Sequence, residues 1–462
     1  MTTTAALRAT ATLAGWVAEA PRDWPDEALE RAGRAMLDTV GVMLAGSGDE
    51  APRRTLAAVA RWGSGGSTIV GTPHRLPAPW AALVNGSAAH ALDFDDILQP
   101  AFGHVSAVLV PAVLALGEER GATGATCLDA YLVGFEVMAR LGESLNMAHY
   151  RQGWHSTITL GTPAAAVACA RLIGLEASAV AAALSISTSM AAGSKLQFGS
   201  MTKPLHAGLA AKNGILAAQL AAAGVSAAAE PLEGDWGFLQ HYAGLEAPGL
   251  EAGLARLGAP AAILQHGISV KVHPCCGSTH RPIDALLHLR AEHHLGPDLV
   301  DEIEALVTEI AARNLMYAEP RNEMEARFSL PYCLAVALAN GQLSRADFTP
   351  RAVQRPEIRE LLGRITMRVD PTLSTAVSPG EAHDWPAKVA VRLKDGRVLH
   401  HTVSQPRGHP QSPLSDDELA DKFRDCSDGV LSPSDASAAL ALLRDFQSLE
   451  QVGDLTRWLK GT

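Results

Sequence analysis

Alanine-rich segments with small residues at helical spacing recur from the start of the chain to about residue 265, and they constrain the fold more than any other feature. Glycines and prolines cut them into helix-sized lengths of roughly 10–20 residues. The spacing predicts helices at Glu27–Leu44, Ala78–Ala91, Ala107–Arg120, Cys127–Leu145, Ala164–Ile173, Ala177–Ala192 and Pro204–Ala223. Strand signals are nearly absent here and no repeat of fixed period is evident. Alanine faces let helices approach closely, so a compact multi-helix body is expected rather than a solenoid. The low aromatic fraction, 5%, fits such close contacts.

The texture changes near Ile268. Ile268–Val272, Ile303–Ala311, Ile365–Val369 and Ala387–Leu393 read as short strands with β-branched content. Asp395-Gly396, between Lys394 and Arg397, is the centre of a two-residue hairpin turn joining Ala387–Leu393 to Val398–Val403. Helical patterns lie between the strands at Pro282–His293 and Pro331–Ala339. Helices return after Ser415-Asp416-Asp417-Glu418, a capping box before Leu419–Cys426, and continue as Pro433–Leu449 and Leu455–Leu459. The expected fold is mostly α, a large all-α helical domain with an inserted smaller α+β lid domain. Residues 1–266 form the first part of the helical domain, 267–405 the lid, and 406–462 the C-terminal helices that return to the helical domain.

Charge and apolar runs narrow the class. With 38 Lys+Arg against 49 Asp+Glu the formal net charge is −11, and no long basic run offers nucleic acid a footprint. Apolar stretches such as Thr162–Ala170 and Ile215–Val225 break too early to span a bilayer. The N-terminal stretch lacks the basic start and dense apolar block of a signal peptide. Six cysteines in 462 residues make no disulfide framework, so a cytoplasmic, reducing compartment is expected. A Walker loop, a dinucleotide-binding glycine fingerprint and a G-x-S-x-G elbow are all missing, which sets ATP, NAD and serine-hydrolase chemistry aside. Gly63-Ser64-Gly65-Gly66-Ser67 reads as a flexible turn.

Five segments gather the residue types that chemistry needs. The first, His90-Ala-Leu-Asp93-Phe-Asp95-Asp96, sets three carboxylates within four positions. Solvated acids after a helix end are the commonplace reading. A divalent metal needs further oxygen ligands in reach, and no second acidic cluster is evident, so no metal is expected. One carboxylate with a raised pKa, or one that orients a histidine, is the functional reading. In the second segment Ser106 is placed to cap the helix from Ala107, with His104 just outside. Ser156 or Thr157 is placed similarly after His155, in the third. Ahead of His206, Pro204 suits a first helical position and biases Lys203 towards an extended conformation. Helix N-termini attract anions, so two histidines and a lysine at three such starts make a carboxylate-binding pocket if the helices converge. The remaining segment runs from Lys271 to His280 and holds the vicinal pair Cys275-Cys276, with no second Cys or His pair at zinc spacing. Lys271 and His273 add positive charge there, which favours an anionic substrate, with His280 facing it.

Together the stretches HALDFDD, GHVSAVLVPAVLALGE, GWHSTITLGTPAAAVACARLIGL, MTKPLHAGLAAKNG and KVHPCCGSTHRPIDAL closely resemble the MmgE/PrpD family, over about residues 5–455. That family includes 2-methylcitrate dehydratase, cis-aconitate decarboxylase and iminodisuccinate epimerase. The resemblance implies a homodimer with no cofactor or iron–sulfur cluster, and an active site in the cleft between the two domains. By motif it implies catalytic roles for Asp93, His104, His155, Lys203 and Tyr317, and Lys271 opens the lid motif. Lys271, His206, Cys276 and His280 are the expected substrate-binding residues. Ile97 stands where decarboxylase-like members carry threonine, and Cys276 where they carry histidine, which removes polar groups from a decarboxylase-type pocket. The Thr202-Lys203-Pro204-Leu205-His206 form is closer to the MmgE-like and epimerase-like branch.

The expected activity is proton abstraction beside a carboxylate of a small di- or tricarboxylate. A histidine is the base, Asp93 fixes a histidine, and the lysines hold the enediolate-like charge. A 2-methylcitrate dehydratase-like hydro-lyase is the first expectation. An iminodisuccinate epimerase-like isomerase, a cis-aconitate decarboxylase-like lyase and a non-catalytic carboxylate-binding protein follow.

Overall fold

The computed structural model describes residues 8–244, 250–373 and 385–461; of the N-terminal stretch, residues 1–7 lie outside the described residues. The fold is mostly helical. The expected helices form as Asp26–Ser47, Ala78–Ala91, Val105–Arg120, Gly124–Leu145, Gly161–Leu172, Ala177–Thr188 and Thr202–Ala222, each within about a turn of expectation. Val105–Arg120 is buried along its first thirteen residues, Val105 to Gly117, as befits a helix with no polar face. Among the described residues no helix is long and apolar enough to cross a membrane.

Buried apolar side chains form two main cores. One runs from Ala9 to Ile263 and is completed by Leu414 to Leu459, so the C-terminal helices Asp416–Ser427 and Pro433–Arg444 pack on the first half of the chain. The other gathers residues from Cys275 to Leu393 and takes in Phe198.

A short antiparallel pair, β1 (Ser67–Thr68) and β2 (Arg75–Leu76), lies in the helical part. The second core is built on a four-stranded sheet, with β3 (Val300–Val307), β4 (Ile365–Val369), β5 (Ala387–Leu393) and β6 (Val398–Val403) in the order β4-β3-β5-β6. The strand β3 pairs parallel with β4, Ile303 facing Ile365, and antiparallel with β5, Ile303 facing Val391. Along β5, Ala387, Val389, Val391 and Leu393 are buried, the period-2 pattern of a sheet with one covered face. Helices Gly277–His293 and Leu330–Asn340 supply that cover.

Four local expectations are corrected. Ile268–Val272 is no strand: Ser269 bridges Ile97 and Val270 donates to the Gly408 carbonyl, so neighbouring residues bond to different segments. The strand expected over Ile303–Ala311 ends at Val307, because Thr308 caps a following helix, Glu309–Asn314, by accepting from the Ala311 N–H. The β5–β6 turn holds three residues rather than two. Leu393 N–H donates to the Arg397 carbonyl, Gly396 N–H donates to the Leu393 carbonyl, and Gly396 takes φ +92°, a type I turn closed by a left-handed glycine. Pro433–Leu449 stops as a helix at Arg444, and Leu455–Leu459 is helical only within Gly453–Thr456.

Candidate active site

Breaks in the helical body deliver the polar side chains. Ala78–Ala91 and Thr202–Ala222 cross at two glycines: a Cβ on Gly86 would stand 2.7 Å from the Gly208 Cα, and one on Gly208 2.0 Å from the Leu83 carbonyl oxygen. This close crossing brings His90, in the last turn of one helix, near Lys203, at the start of the other.

After His90 the chain turns through Asp93, whose φ of +50° is left-handed, a conformation that aspartate tolerates better than most residues. The turn separates the three acids. Asp93 meets two ammonium groups: Lys203 Nζ lies 3.1 Å from Oδ2, and Lys271 Nζ bonds to Oδ1 while also donating to the Asp93 carbonyl at 2.8 Å. Asp95 Oδ2 faces two imidazoles, His90 Nδ1 at 2.8 Å and His104 Nδ1 at 3.0 Å. Asp96 turns into the core and accepts from the Ser106 N–H at 3.2 Å and from its hydroxyl, which also meets the Tyr131 hydroxyl at 2.8 Å.

Their electrostatics differ accordingly. Burial pushes the Asp93 carboxyl up, but Lys203 and Lys271 outweigh it and hold the group below the usual carboxylate range. Asp95 is likewise held well below that range against burial, by His104 and His90. Burial wins at Asp96 and pushes it up to about 7, despite the Ser106 hydrogen bonds. Burial lowers Lys203, with Asp93 opposing, whereas Asp93 overcomes burial at Lys271 and raises it. All four nearby imidazoles are lowered by burial: His90 to about 3, His206 to about 4, His155 well below the histidine range, and His104 below it against the pull of Asp95. The site thus holds neutral histidines beside charged lysines.

His155 N–H donates to the Gly193 carbonyl at 2.9 Å, and its Nδ1 lies 2.9 Å from the Nδ1 of His206. Its ring stacks 5.9 Å from that of His90 and meets Phe198 edge-on at 5.1 Å.

These groups open onto a cavity of about 110 Å³ between the two cores. One water needs roughly 10–15 Å³ on this measure, so the space suits a small organic acid. Asp93, His104, His155 and Lys203 face it from the helical side, and Cys276, Ser278, Arg281 and Asn314 from the other. Ile97, Phe102, Phe328 and Trp385 supply apolar wall. The Cys276 thiol is pushed up to about 11 by burial and is neutral.

The structure revises several expected placements. Asp95, not Asp93, sits against a histidine's Nδ1, while Asp93 is taken by the lysines. Ser106 caps nothing: Val105–Arg120 starts two residues earlier than expected with His104 at its N-cap, and Asp96 claims the Ser106 hydroxyl. Ser156 and Thr157 are no caps either, since His155 is the N-cap of Ser156–Thr159 and the Thr157 hydroxyl accepts from the His104 N–H at 3.2 Å. Lys203 lies inside the helix that starts at Thr202, so Pro204 is its third residue rather than its first.

Tyr317 does not line the cavity. Its hydroxyl donates to the Phe198 carbonyl at 2.8 Å and its ring covers Gly199, where a Cβ would come within 2.5 Å of that oxygen. Three expected substrate contacts also stand off the cavity wall: Lys271 behind Asp93, His206 behind His155, and His280 against the ring of His273 at 5.0 Å between centroids. Sequence reasoning missed His90 and Asp95, whose five-residue spacing was the available signal, and Asn314, which accepts from the Tyr150 hydroxyl at 3.2 Å.

One ligand atom from each of His90, Asp93, Asp95 and His104 lies within 4.8 Å of the others, an arrangement a metal ion could use, at the segment where the sequence reading weighs a metal and sets it aside. The lysines argue against a cation: both Asp93 oxygens already face ammonium groups, which a dication would have to displace or approach at close range.

Buried lysines, carboxylates and neutral histidines converging on one small cavity define an enzyme site. Residues 11–251 match the MmgE/PrpD N-terminal domain and residues 273–447 the MmgE/PrpD C-terminal domain, so the chain belongs to the MmgE/PrpD family of enzymes. It is similar to cis-aconitate decarboxylase of Homo sapiens, 31% identical over 451 residues that cover 94% of this chain and 91% of the relative. The cis-aconitate decarboxylase of Aspergillus terreus is 28% identical over 482 residues, covering 98% and 95%. The 2-methylcitrate dehydratase of Cupriavidus necator is 34% identical over 141 residues, covering 28% and 27%.

Proposed function

We propose that the protein is a cofactor-independent lyase of small di- or tricarboxylates that removes a proton beside a carboxylate, with elimination of a hydroxyl as its first reaction. The observation that carries this reading is Lys203. Its buried ammonium has one close charged neighbour, Asp93, and faces the cavity that also holds His155 and His104. A substrate carboxylate entering there completes the coordination of Lys203, and the ammonium stabilises the enediolate-like charge as it develops in a poorly solvated site.

The two facing histidines are in different surroundings, which divides their labour. Among the described residues His155 has no carboxylate neighbour, and burial keeps it neutral, the state a base requires. Burial lowers His104 too, but Asp95 at its Nδ1 opposes that shift, so of the two facing histidines it is the one better able to carry a proton, and it is assigned to the leaving hydroxyl. Segment 267–405 acts as a lid over the cavity, and the working form is a cytoplasmic homodimer, as the family resemblance implies.

Decarboxylation is the second reading, because relatives named cis-aconitate decarboxylase match over nearly the whole chain. Ile97 and the neutral thiol of Cys276 on the cavity wall favour the first. The deciding experiment is proton NMR of the chelator-treated enzyme in D2O with 2-methylcitrate, citrate, cis-aconitate, both malate enantiomers and iminodisuccinate stereoisomers. A new alkene signal from 2-methylcitrate, citrate or malate establishes the hydro-lyase, and conversion of cis-aconitate into a dicarboxylate with release of carbon dioxide the decarboxylase. Deuterium entry with stereoisomer interconversion and no alkene establishes an epimerase. Saturable binding with no chemistry on any member rejects catalysis on this panel.

A further inference from the structure

His155 and His206 are both buried, and their Nδ1 atoms lie 2.9 Å apart. Both are held neutral, since burial lowers His155 well below the histidine range and His206 to about 4. Two neutral imidazoles at that distance must be in different tautomers. If both carried hydrogen on Nδ1 the hydrogens would collide, and if both carried it on Nε2 two lone pairs would face each other unpaired. One ring therefore holds its proton on Nδ1 and the other on Nε2, and the tautomer of each dictates that of its neighbour.

The surroundings build this pair specifically. The Gly193 carbonyl anchors the backbone N–H of His155 at 2.9 Å, while the missing side chain of Gly193 makes room for the partner ring: a Cβ there would stand 3.1 Å from His206 Cε1 and Nε2. His155 lines the cavity and His206 does not, so the edge of His155 opposite Nδ1 is the one available to a ligand.

We infer that His206 is a positioning residue that sets the tautomer of His155 and holds the abstracted proton's charge. The inference deepens the base role proposed for His155 and rests on it. In the resting pair His155 carries hydrogen on Nδ1, donated to His206, and presents a bare Nε2 lone pair to the substrate. When that Nε2 takes the substrate proton, the Nδ1 hydrogen crosses to His206 Nδ1. His155 is left neutral with its hydrogen on Nε2, and His206, which keeps its own Nε2 hydrogen, becomes the imidazolium. The unit of positive charge stays off the ring closest to the substrate; once product has left, the Nδ1 hydrogen returns from His206 to His155 and His155 Nε2 gives the abstracted proton to solvent, which restores the start. The charged and titratable neighbours acting on the pair are Lys203 from the same helix as His206, His90 from Ala78–Ala91 and His104 from the start of Val105–Arg120.

The test is nitrogen-15 NMR of the full-length protein labelled at histidine, with His206→Gln and His155→Gln used to assign the two rings. One ring of each tautomer is expected, with His155 protonated on Nδ1. Two Nε2-protonated rings, or either ring charged at pH 7, would overturn the inference without touching the proposed reaction, because this readout needs no turnover. In the activity arm His206→Gln, which hydrogen-bonds but cannot hold the charge, is expected to lower kcat by about 10–100-fold with KM little changed. Wild-type kcat in that variant, with a folded near-UV spectrum, would reduce His206 to packing and overturn the inference.

Discussion

Asp93 and Lys203 face each other at 3.1 Å on the wall of the cavity, and Lys271 grips the same carboxylate from behind. One acid therefore holds two buried ammonium groups, and only Lys203 of the two reaches the cavity wall.

The first expectation concerns the ammonium that faces the cavity. Lys203→Ala removes the positive charge from the reacting centre and is expected to lower kcat/KM by about 10²–10³-fold, the scale of one preorganised donor. Lys203→Arg is expected to restore little, because a planar fork does not fit the place of a compact ammonium between Asp93 and the rings of Phe198 and Phe328. Turnover by NMR checks both, and near wild-type turnover in Lys203→Ala ends the role assigned to it.

Asp93→Asn is expected to cost stability as well as activity. It leaves Lys271 and Lys203, both almost fully buried, without their counter-charge. Removing one partner of a buried ion pair costs about 3–5 kcal/mol, and here the lost partner serves two ions. Urea denaturation should show a lowered midpoint at unchanged slope. An unchanged midpoint would mean that the lysines are neutral or solvated in the fold.

Asp96 gives a pH dependence of stability with a definite sign. Burial raises its folded value to about 7 from the ordinary 3.8. Between those values the folded state keeps a proton that the unfolded state releases, so its contribution is present in full below about pH 4 and is lost as pH rises through 7. Asp96→Asn, which cannot titrate, is expected to flatten the fall in unfolding free energy between pH 5 and 8 by a few kcal/mol at most. Parallel stability curves for the two proteins would show that Asp96 is ionised throughout. Asp38, also buried and raised, keeps some slope in the variant.

Much of this architecture was legible because period and composition decide it. The Ala78–Ala91 helix and the strands Ile365–Val369, Ala387–Leu393 and Val398–Val403 fall where residue spacing places them. The site segments could be marked as His, Lys and Asp beside helix starts, but their partners could not. Three acids within four positions are chemically alike on paper. Only the left-handed turn at Asp93 sends one to the lysines, one to the histidines and one to Ser106. The capping expectation failed for the same reason: a serine near a helix start caps it unless a carboxylate from elsewhere takes its hydroxyl, as Asp96 does. Tyr317 and His206 were assigned to the site by motif position, whereas distance puts one against the Phe198 carbonyl and the other behind His155.

The last expectation concerns the choice of reaction. Ile97 and Cys276 meet the cavity side by side, and the Ile97 Cδ1 lies so near Gly277 that a Cβ there would stand 2.4 Å from it. Together they give the wall an apolar branch and a neutral thiol, neither of which can hydrogen-bond strongly to a departing carboxylate. Ile97→Thr shortens the branch and adds a hydroxyl, and Cys276→His adds a ring nitrogen at the start of the helix Gly277–His293. The double variant is expected to release carbon dioxide from cis-aconitate at least about tenfold faster than the parent, which corresponds to 1.4 kcal/mol of barrier. Because the two side chains share one wall, each single variant should give less than its share. Carbon dioxide release equal in parent and double variant, with both proteins folded, would show that these positions do not select the reaction. Decarboxylation by the parent itself at a high rate would move that activity to first place.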